Sequence, residues 1–250
     1  MPTTATTAHV DAQWAATLGC VVEDLRRPGV QVAPHGTLAG YRGAMLLRRG
    51  DACVVSVPLA MVGAVRRQIA GCTADEVFTV PSLTGLFGNA VERIVGPAWQ
   101  GCADSSDFQP LATRETRLLQ PVDEWALHRL EMACDRTEWE HSTIVWGQPP
   151  VFGCFVGKEV IAAGTLRPWG EGVLSVGIIT HPAHRGQRYA RAVVSAMSAY
   201  GLAQGAILRY QTLQANVSAV AIAQTLGYQE YGQTLAARLV RLDVESSTPG

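Results

Sequence analysis

A short basic loop, residues 185–188 (R-G-Q-R), stands between a predicted strand and a predicted helix. The run before it, Val173 to Thr180, is rich in β-branched residues, as buried strands are, and ends before Pro182. Apolar residues then recur at the spacing of an amphipathic helix, at Ala190, Val193, Val194 and Met197. The first amides of a helix lack intrahelical partners and attract anions, and arginine adds charge and paired donors. The loop therefore predicts a phosphate site.

At these residues the chain resembles the GCN5-related N-acetyltransferases (GNAT), and among them the branch whose loop reads T-x-P-x-x-R-G-x-G-Y-A. The family loop follows [QR]-x-x-G-x-[GA], and Arg185 and Ala190 match its two ends. Arg188 stands where the family has its middle glycine, which can adopt φ > 0 or let a ligand approach the backbone. We expect the helix to begin early enough for Arg188 to adopt an ordinary right-handed helical conformation; the alternative is weaker phosphate binding.

A second part of the resemblance lies nearer the C-terminus. The family ends with N-x-x-[AS], a helix and then G-[FY], and Asn216, Ala219, Gly227 and Tyr228 keep that spacing. The intervening residues, Val217 to Leu226, are predicted to form the helix.

The resemblance implies an acetyl-CoA site. In the family the loop holds the pyrophosphate, and the preceding strand gives backbone hydrogen bonds to the pantetheine arm. The residues expected to bind the coenzyme are Ile178, Ile179, Thr180, Arg185, Gly186, Gln187, Arg188, Tyr189, Ala190 and Asn216. Amides of residues 177–179 are the expected oxyanion donors. Acetyl-CoA is expected as cosubstrate, and no metal is expected.

Two glutamates are the candidates for a general base, Glu138 and Glu140 in the segment T-E-W-E-H-S. In relatives this helix and its loop form the wall of the acceptor site. Positions two apart on a helix point in different directions, so at most one of these carboxylates is expected in the cleft. The alternative is that Asp135 or Thr137 caps a helix whose glutamates are only solvated. His181 and His184 are further candidates, with the similar alternative that they are only loop residues beside the phosphate site.

One departure from the family affects the general acid. Members often have a tyrosine seven residues after the asparagine, where it protonates the departing thiolate, and here that residue is Ala223. Tyr228 and Tyr231 lie nearby but are more simply read as core residues. A coenzyme A thiol is an acidic leaving group, so transfer without a dedicated acid remains open.

The expected fold is α/β: a GNAT fold with a mixed, mostly antiparallel sheet flanked by helices, preceded by a smaller α/β region. The predicted domains are residues 1–108, which could be a degenerate GNAT-like unit without a coenzyme site, and residues 117–243, the acetyltransferase domain. In the first region strands are predicted at 44–47, 53–57, 77–80 and 91–94, with helices at 59–69 and 83–87. In the second, helices are predicted within 122–144 and a hairpin around Gly157.

Composition limits the function. The 250 residues carry a formal charge of −1, which argues against a nucleic-acid partner. No run of apolar residues is long enough to span a membrane, and no secretory signal is visible, so a cytoplasmic enzyme is expected. The six cysteines lack C-x-x-C pairs and are expected as buried thiols.

The expected activity is transfer of an acetyl or short acyl group to an amine of a small molecule. The alternative is a non-catalytic acyl-CoA-binding regulatory module. The sequence does not identify the acceptor or the oligomeric state.

Overall fold

The structure is a computed structural model that describes residues 3–111, 115–148 and 150–240. Its strands are β1 (Gly29–Pro34), β2 (Gly43–Arg49), β3 (Ala52–Val57), β4 (Val91–Ala103), β5 (Thr116–Leu118), β6 (Val151–Val156), β7 (Glu159–Gly170), β8 (Val173–Thr180), β9 (Ile207–Leu213) and β10 (Gln229–Leu239). Its helices are α1 (Thr4–Leu18), α2 (Val62–Gln68), α3 (Ala74–Val77), α4 (Val80–Phe87), α5 (Glu124–Ala133), α6 (Arg136–Ser142), α7 (Tyr189–Ala203) and α8 (Val217–Thr225). The expected mixed α/β fold with mostly antiparallel pairing is confirmed.

The chain forms two compact units. Among the described residues, the N-terminal unit comprises 8–99, 213–215 and 232–240, and the C-terminal unit comprises the rest. Residues 1–2 and 241–243 of the predicted domains lie outside the described part of the chain. The domain boundary near residue 108 stays a prediction, as does the degenerate GNAT-like origin of the first domain.

In the N-terminal unit the strand order is β1-β3-β2-β10, with β1 parallel to β3 and the other pairs antiparallel. All six residues of β3 are buried, which suits its central position and its β-branched composition. The strand predicted at 77–80 is wrong, because α3 ends at Val77 and α4 begins at Val80. Thr73 and Glu76 form a capping box that starts α3, and this local helix signal outweighs the β-branched residues.

In the C-terminal unit the strand order is β9-β8-β7-β6-β5. The predicted β6–β7 hairpin around Gly157 is confirmed, and that glycine has φ +61°. Helices pack on both faces of this sheet. Gly164 of β7 faces Val193 and Met197 of α7, whereas the next residue back, Ala163, belongs to a cluster with Leu127 of α5. Neighbouring strand residues point to opposite faces, so α5 and α7 lie on opposite sides.

Candidate active site

The parallel strands β8 and β9 separate in the middle of the C-terminal unit. They pair only from Val173 to Ser175 of β8, with Ile207 to Arg209 of β9. By contrast, β8 pairs with β7 along its whole length, up to Thr180. Residues 176–180 of β8 therefore leave the ladder with β9, and their backbone groups on that side become available to a ligand. Ile178, Ile179 and Thr180, three of the predicted coenzyme residues, lie on this stretch.

The predicted phosphate loop connects this separated strand to the start of α7. A 3₁₀ turn at Pro182–His184 follows β8, and α7 begins at Tyr189 and runs for 15 residues. Gln187 and Arg188 are exposed in the loop, Ala190 is half-buried in the first turn, and the Tyr189 ring is buried. The amides of the first turn of so long a helix present an anion site.

The expected conformation of Arg188 is wrong. Its φ of +69° and ψ of 14° are left-handed, and it precedes the first helical residue as the N-cap of α7. Gly186, two residues earlier, also has positive φ, at +76°. The turn from extended Arg185 into α7 thus contains two left-handed residues, and Arg188 adopts a conformation that glycine adopts more readily. Left-handed geometry costs a non-glycine residue about 1–2 kcal/mol.

Arg185 is held by the candidate base. Its Nη2 donates to Oε2 of Glu138 at 2.6 Å, and its Nε donates to the carbonyl of Thr180 at 3.4 Å. The hydrogen bond to Glu138 raises the pKa of the Arg185 guanidinium. Both side chains of this ion pair are about half exposed, at 47% and 46%. The structure therefore brings one predicted base to the predicted phosphate loop.

Glu140 points elsewhere on α6. Its Oε1 accepts from Nε of Arg136 at 3.0 Å, in a pair that is largely exposed. Asp135 caps α6, since its Oδ1 accepts from the amides of Thr137 and Glu138 at 2.8 and 3.2 Å. The cap is the one that the alternative interpretation offered, with Asp135 rather than Thr137, and the two glutamates have different environments.

The two loop histidines interact locally. Nδ1 of His181 accepts from the amide of Ala183 at 3.2 Å, and its ring lies 5.2 Å from that of His184. The His184 ring lies 6.0 Å from the Tyr189 ring. These contacts stabilise the turn before α7.

Close packing at Gly177 positions α6 against β8. A Cβ at Gly177 would lie 2.0 Å from the carbonyl oxygen of Ser142, the last residue of α6. Thr143 follows with φ +57° and ends the helix. Only glycine allows this approach, so the end of α6 lies directly over the β8 segment that carries the predicted oxyanion amides.

Asn216 acts as the N-cap of α8. Its Oδ1 accepts from the amide of Ala219 at 3.2 Å and from the hydroxyl of Ser218 at 2.9 Å. Its predicted role in coenzyme binding stays a prediction, since capping already accounts for the asparagine and the spacing to Ala219.

Ala223 stands where family members often have the tyrosine that acts as the general acid, and it is fully buried. The hydroxyl of Tyr228 lies 2.7 Å from Oγ of Ser198, and burial raises the pKa of Tyr228 far above its ordinary value. Tyr231 is also buried, at 6% exposed. Both tyrosines thus have the surroundings of core residues.

Sequence reasoning missed Arg209, which lies at the point where β8 and β9 separate. It pairs in register with Ser175, the last paired residue of β8, and its Nη2 donates to Oε1 of Gln100 at 2.8 Å. Its Cζ lies 4.4 Å from the centre of the Trp169 ring, and burial lowers the pKa of Arg209 to about 10. The signal that could have identified it is a charged residue inside the otherwise apolar segment I-L-R-Y.

Other site types are not found among the described residues. No group of three or more histidine, cysteine, aspartate or glutamate side chains is placed to hold a metal ion there. In the described part of the chain, no helix is both long and apolar enough to cross a membrane.

Comparison with known proteins identifies the C-terminal part of the chain. Residues 116–228 match the model of the acetyltransferase (GNAT) family. No curated protein matches the sequence.

Three solved structures illustrate the similarity. A GCN5-related N-acetyltransferase from Kribbella flavida is 14% identical, with 93% of this chain and 95% of that chain covered and a TM-score of 0.49. One from Sphaerobacter thermophilus is 15% identical, with 66% and 58% covered and a TM-score of 0.49. A GNAT-family acetyltransferase from Colwellia psychrerythraea is 15% identical, with 63% and 61% covered and a TM-score of 0.46. This chain thus spans less than two thirds of the length of the last two.

The family match begins at β5 and ends just after α8, so it includes the β8–β9 separation, the loop 185–188 and the start of α7. Residues 116–228 of this chain are an acetyltransferase domain of the GNAT family.

Proposed function

We propose that the chain is an N-acetyltransferase that moves an acetyl, or another short acyl, group from coenzyme A to an amine of a small molecule. The observation that carries the proposal is the separation of β8 from β9 after Ser175, directly before a basic loop and the N-terminus of α7. The separation offers backbone groups to an extended pantetheine arm, and the helix start offers amides to phosphates.

The residues present fit an acyl-CoA ligand. The amides of Tyr189 and Ala190 and the guanidinium groups of Arg185 and Arg188 would hold the pyrophosphate, while Ile178, Ile179 and Thr180 would contact the pantetheine arm. The coenzyme supplies an activated thioester, so the protein has to bind, orient and move protons.

The reaction joins the acceptor nitrogen to the acyl carbon, breaks the carbon–sulfur bond, and transfers one proton overall from nitrogen to sulfur. Amides of residues 177–179 would stabilise the oxyanion. Glu138 is the better candidate to take the proton, because its partner Arg185 belongs to the loop, while Glu140 pairs with Arg136 of its own helix. With Ala223 at the usual tyrosine position, the thiolate would leave without a dedicated acid.

A small-molecule acceptor is preferred over a charged peptide, because the chain has a formal charge of only −1. The alternative function, a non-catalytic acyl-CoA-binding module, is favoured by one observation, the buried Ala223 in place of the acid.

The test is a thermal-shift screen with acetyl-CoA, longer acyl-CoAs and free CoA, followed by thiol release against a panel of amines. Ligand binding to the folded state raises the melting temperature by mass action. We expect a shift with acetyl-CoA and thiol release with at least one amine. A shift without thiol release from any amine favours the binding module, and no shift at millimolar ligand overturns the proposal.

A further inference from the structure

A cavity of about 720 Å³ lies within the C-terminal unit, between the 3₁₀ turn Pro121–Asp123, α5, α6 and the segment 144–146. This volume is in the range of small-molecule pockets, about 300–1,000 Å³. None of the coenzyme residues considered above lines it. We name it the tryptophan cavity, after its lining residues Trp125, Trp139 and Trp146.

Three of the six tryptophans in the chain line this one cavity. The side chains of Trp139 and Trp146 pack against the core below α5, which fixes their positions. Trp125 on α5 is 67% exposed, and neighbouring Val122 is 85% exposed. Exposed large apolar side chains that cluster around a cavity mark a ligand site more often than a random surface.

The charge of the lining has a single sign. Glu124 and Glu131 of α5 contribute carboxylates, and none of the lining residues is an arginine or lysine. His128 lies between a carboxylate and an indole of the lining. Its Nδ1 is 3.4 Å from Oε2 of Glu131, and its ring is 5.9 Å from the ring of Trp125. Indole faces attract cations, and carboxylates at the rim add to that attraction.

The tryptophan cavity is connected to the candidate active site by α6. Trp139 lies one helical turn before Ser142, whose carbonyl oxygen contacts β8 at Gly177. Ile144, also in the lining, packs in the same cluster as Ile179 of β8. The lining of the cavity and the β8 segment thus share contacts with α6 and with one hydrophobic cluster.

We propose that the tryptophan cavity binds a small organic cation with an apolar body, an aryl- or alkylammonium ion, with the ring or chain on the indoles and the charge toward Glu124 and Glu131. That this cation is the acceptor amine rests on the proposed function; its binding in the cavity does not. The cavity binds the protonated amine, which has to lose a proton before it can attack the thioester.

The test is a titration of tryptophan fluorescence with three probes of nearly equal shape: 2-phenylethylammonium, 2-phenylethanol and 3-phenylpropanoate. We expect the ammonium ion to bind at least tenfold more tightly than the alcohol, and the carboxylate to bind least. Equal affinity for the alcohol and the ammonium ion, or no ammonium binding at millimolar concentration, overturns the inference.

Variants locate the binding. Trp125→Leu should weaken ammonium binding about tenfold, because it removes an indole, and Glu131→Gln should weaken it about two- to fivefold, because it removes a half-exposed charge. Met132→Leu is the matched control, since Met132 is 73% exposed on the same helix but does not line the cavity. Both variant sites are substantially exposed, so the fold should tolerate the changes. Unchanged affinity in both variants places the ion elsewhere and overturns the inference.

Two further measurements separate this inference from the proposed function. If the ammonium ion binds and acetyl-CoA does not, the cavity assignment stands and the proposed function fails. If acetyl-CoA binds and none of the three probes does, the proposed function stands and the cavity assignment fails. Sedimentation of the parent and of Trp125→Leu tests whether a second copy of the chain occupies the cavity. If the parent is a dimer, Trp125→Leu is a monomer and no probe binds, the cavity belongs to a dimer interface and the inference is overturned.

Discussion

The guanidinium of Arg185 and the carboxylate of Glu138 form an ion pair, with Nη2 and Oε2 2.6 Å apart. The sequence predicts phosphate binding by the first residue and makes the second a candidate proton acceptor. A phosphate and a carboxylate compete for the same guanidinium donors. If the loop binds the coenzyme as proposed, the pair links that binding to the state of α6.

Glu138→Gln should strengthen acetyl-CoA binding by roughly two- to fivefold, the scale of an exposed ion pair worth about 0.2–1 kcal/mol. The substitution keeps the shape of the side chain but removes the competing charge beside Arg185. Calorimetry gives the affinity directly. Glu140→Gln is the control, because its partner is Arg136, and it should leave the affinity unchanged. Weaker coenzyme binding by Glu138→Gln would contradict competition between the two anions.

The same variants should differ in turnover. Because Glu138 is the proposed base, the Glu138→Gln variant should lose roughly 10²-fold or more in kcat, the lower end of general acid–base effects. The pH–rate profile of this variant should also lose its acidic limb. Glu140→Gln should retain nearly normal kcat. Thiol release with an acceptor found in the amine panel measures both. Near-normal rates in the two variants would assign proton removal to His141, a water chain or the free-base fraction of the amine.

Arg188→Gly should stabilise the protein, because Arg188 has φ +69° and glycine adopts this conformation without a steric penalty. We expect a gain of about 1 kcal/mol in the free energy of unfolding. Relief of the left-handed conformation contributes more than this, but the greater freedom of glycine in the unfolded chain offsets part of it. Urea unfolding measures it. Gln187→Gly, one residue earlier and not among the residues with positive φ, should not stabilise.

Arg188→Ala separates conformation from charge, because alanine keeps a Cβ in the left-handed turn. If the guanidinium contacts phosphate, CoA affinity should fall about tenfold or more, in line with the ~1.5–3 kcal/mol of charged hydrogen bonds. Coenzyme binding by Arg188→Gly as tight as that of the parent would show that the arginine is only tolerated there.

Asp123→Asn should weaken the fold near the tryptophan cavity at neutral pH. Both carboxylate oxygens of Asp123 accept from Arg117, at 2.6 and 2.8 Å, and Oδ2 also accepts from the amide of Gln120 at 2.7 Å. The hydrogen bonds from Arg117 lower the pKa of Asp123. Because Arg117 is 45% exposed, we expect a loss of only about 1 kcal/mol.

The pH dependence has a definite sign. A carboxyl whose folded-state pKa is lowered contributes stability above its unfolded pKa, about 3.9, and loses it as the pH falls through the folded-state value. Unfolding of parent and Asp123→Asn should thus differ at pH 7 and converge in acid below about pH 4. A difference that stays constant as the pH falls well below 4 would contradict the role of the ion pair.

Local patterns predicted the elements around the site well. The stripe of apolar residues predicted α7, and the structure buries Val193, Val194 and Met197 completely. The β-branched run predicted β8, and the loop between them lies where expected. These elements are specified by their own periodicity, which a single sequence displays.

The contacts within the site could not be predicted, because they depend on which elements meet. The ion pair between Arg185 and Glu138 joins residues 47 positions apart. The close approach of Ser142 to Gly177 depends on the docking of α6, and the left-handed turn at Arg188 depends on the angle between β8 and α7. Arg209 escaped notice because its burial comes from neighbouring strands.

The most direct test of the account is calorimetry of acetyl-CoA with the parent chain, Gln187→Glu and Gln204→Glu. Both glutamines flank α7, but only Gln187 lies at the helix start, where an added carboxylate repels phosphate. The account predicts one equivalent bound per chain, at least tenfold weaker binding by Gln187→Glu, and parental affinity for Gln204→Glu. No binding at millimolar acetyl-CoA, two equivalents per chain, or parental affinity in Gln187→Glu would contradict it.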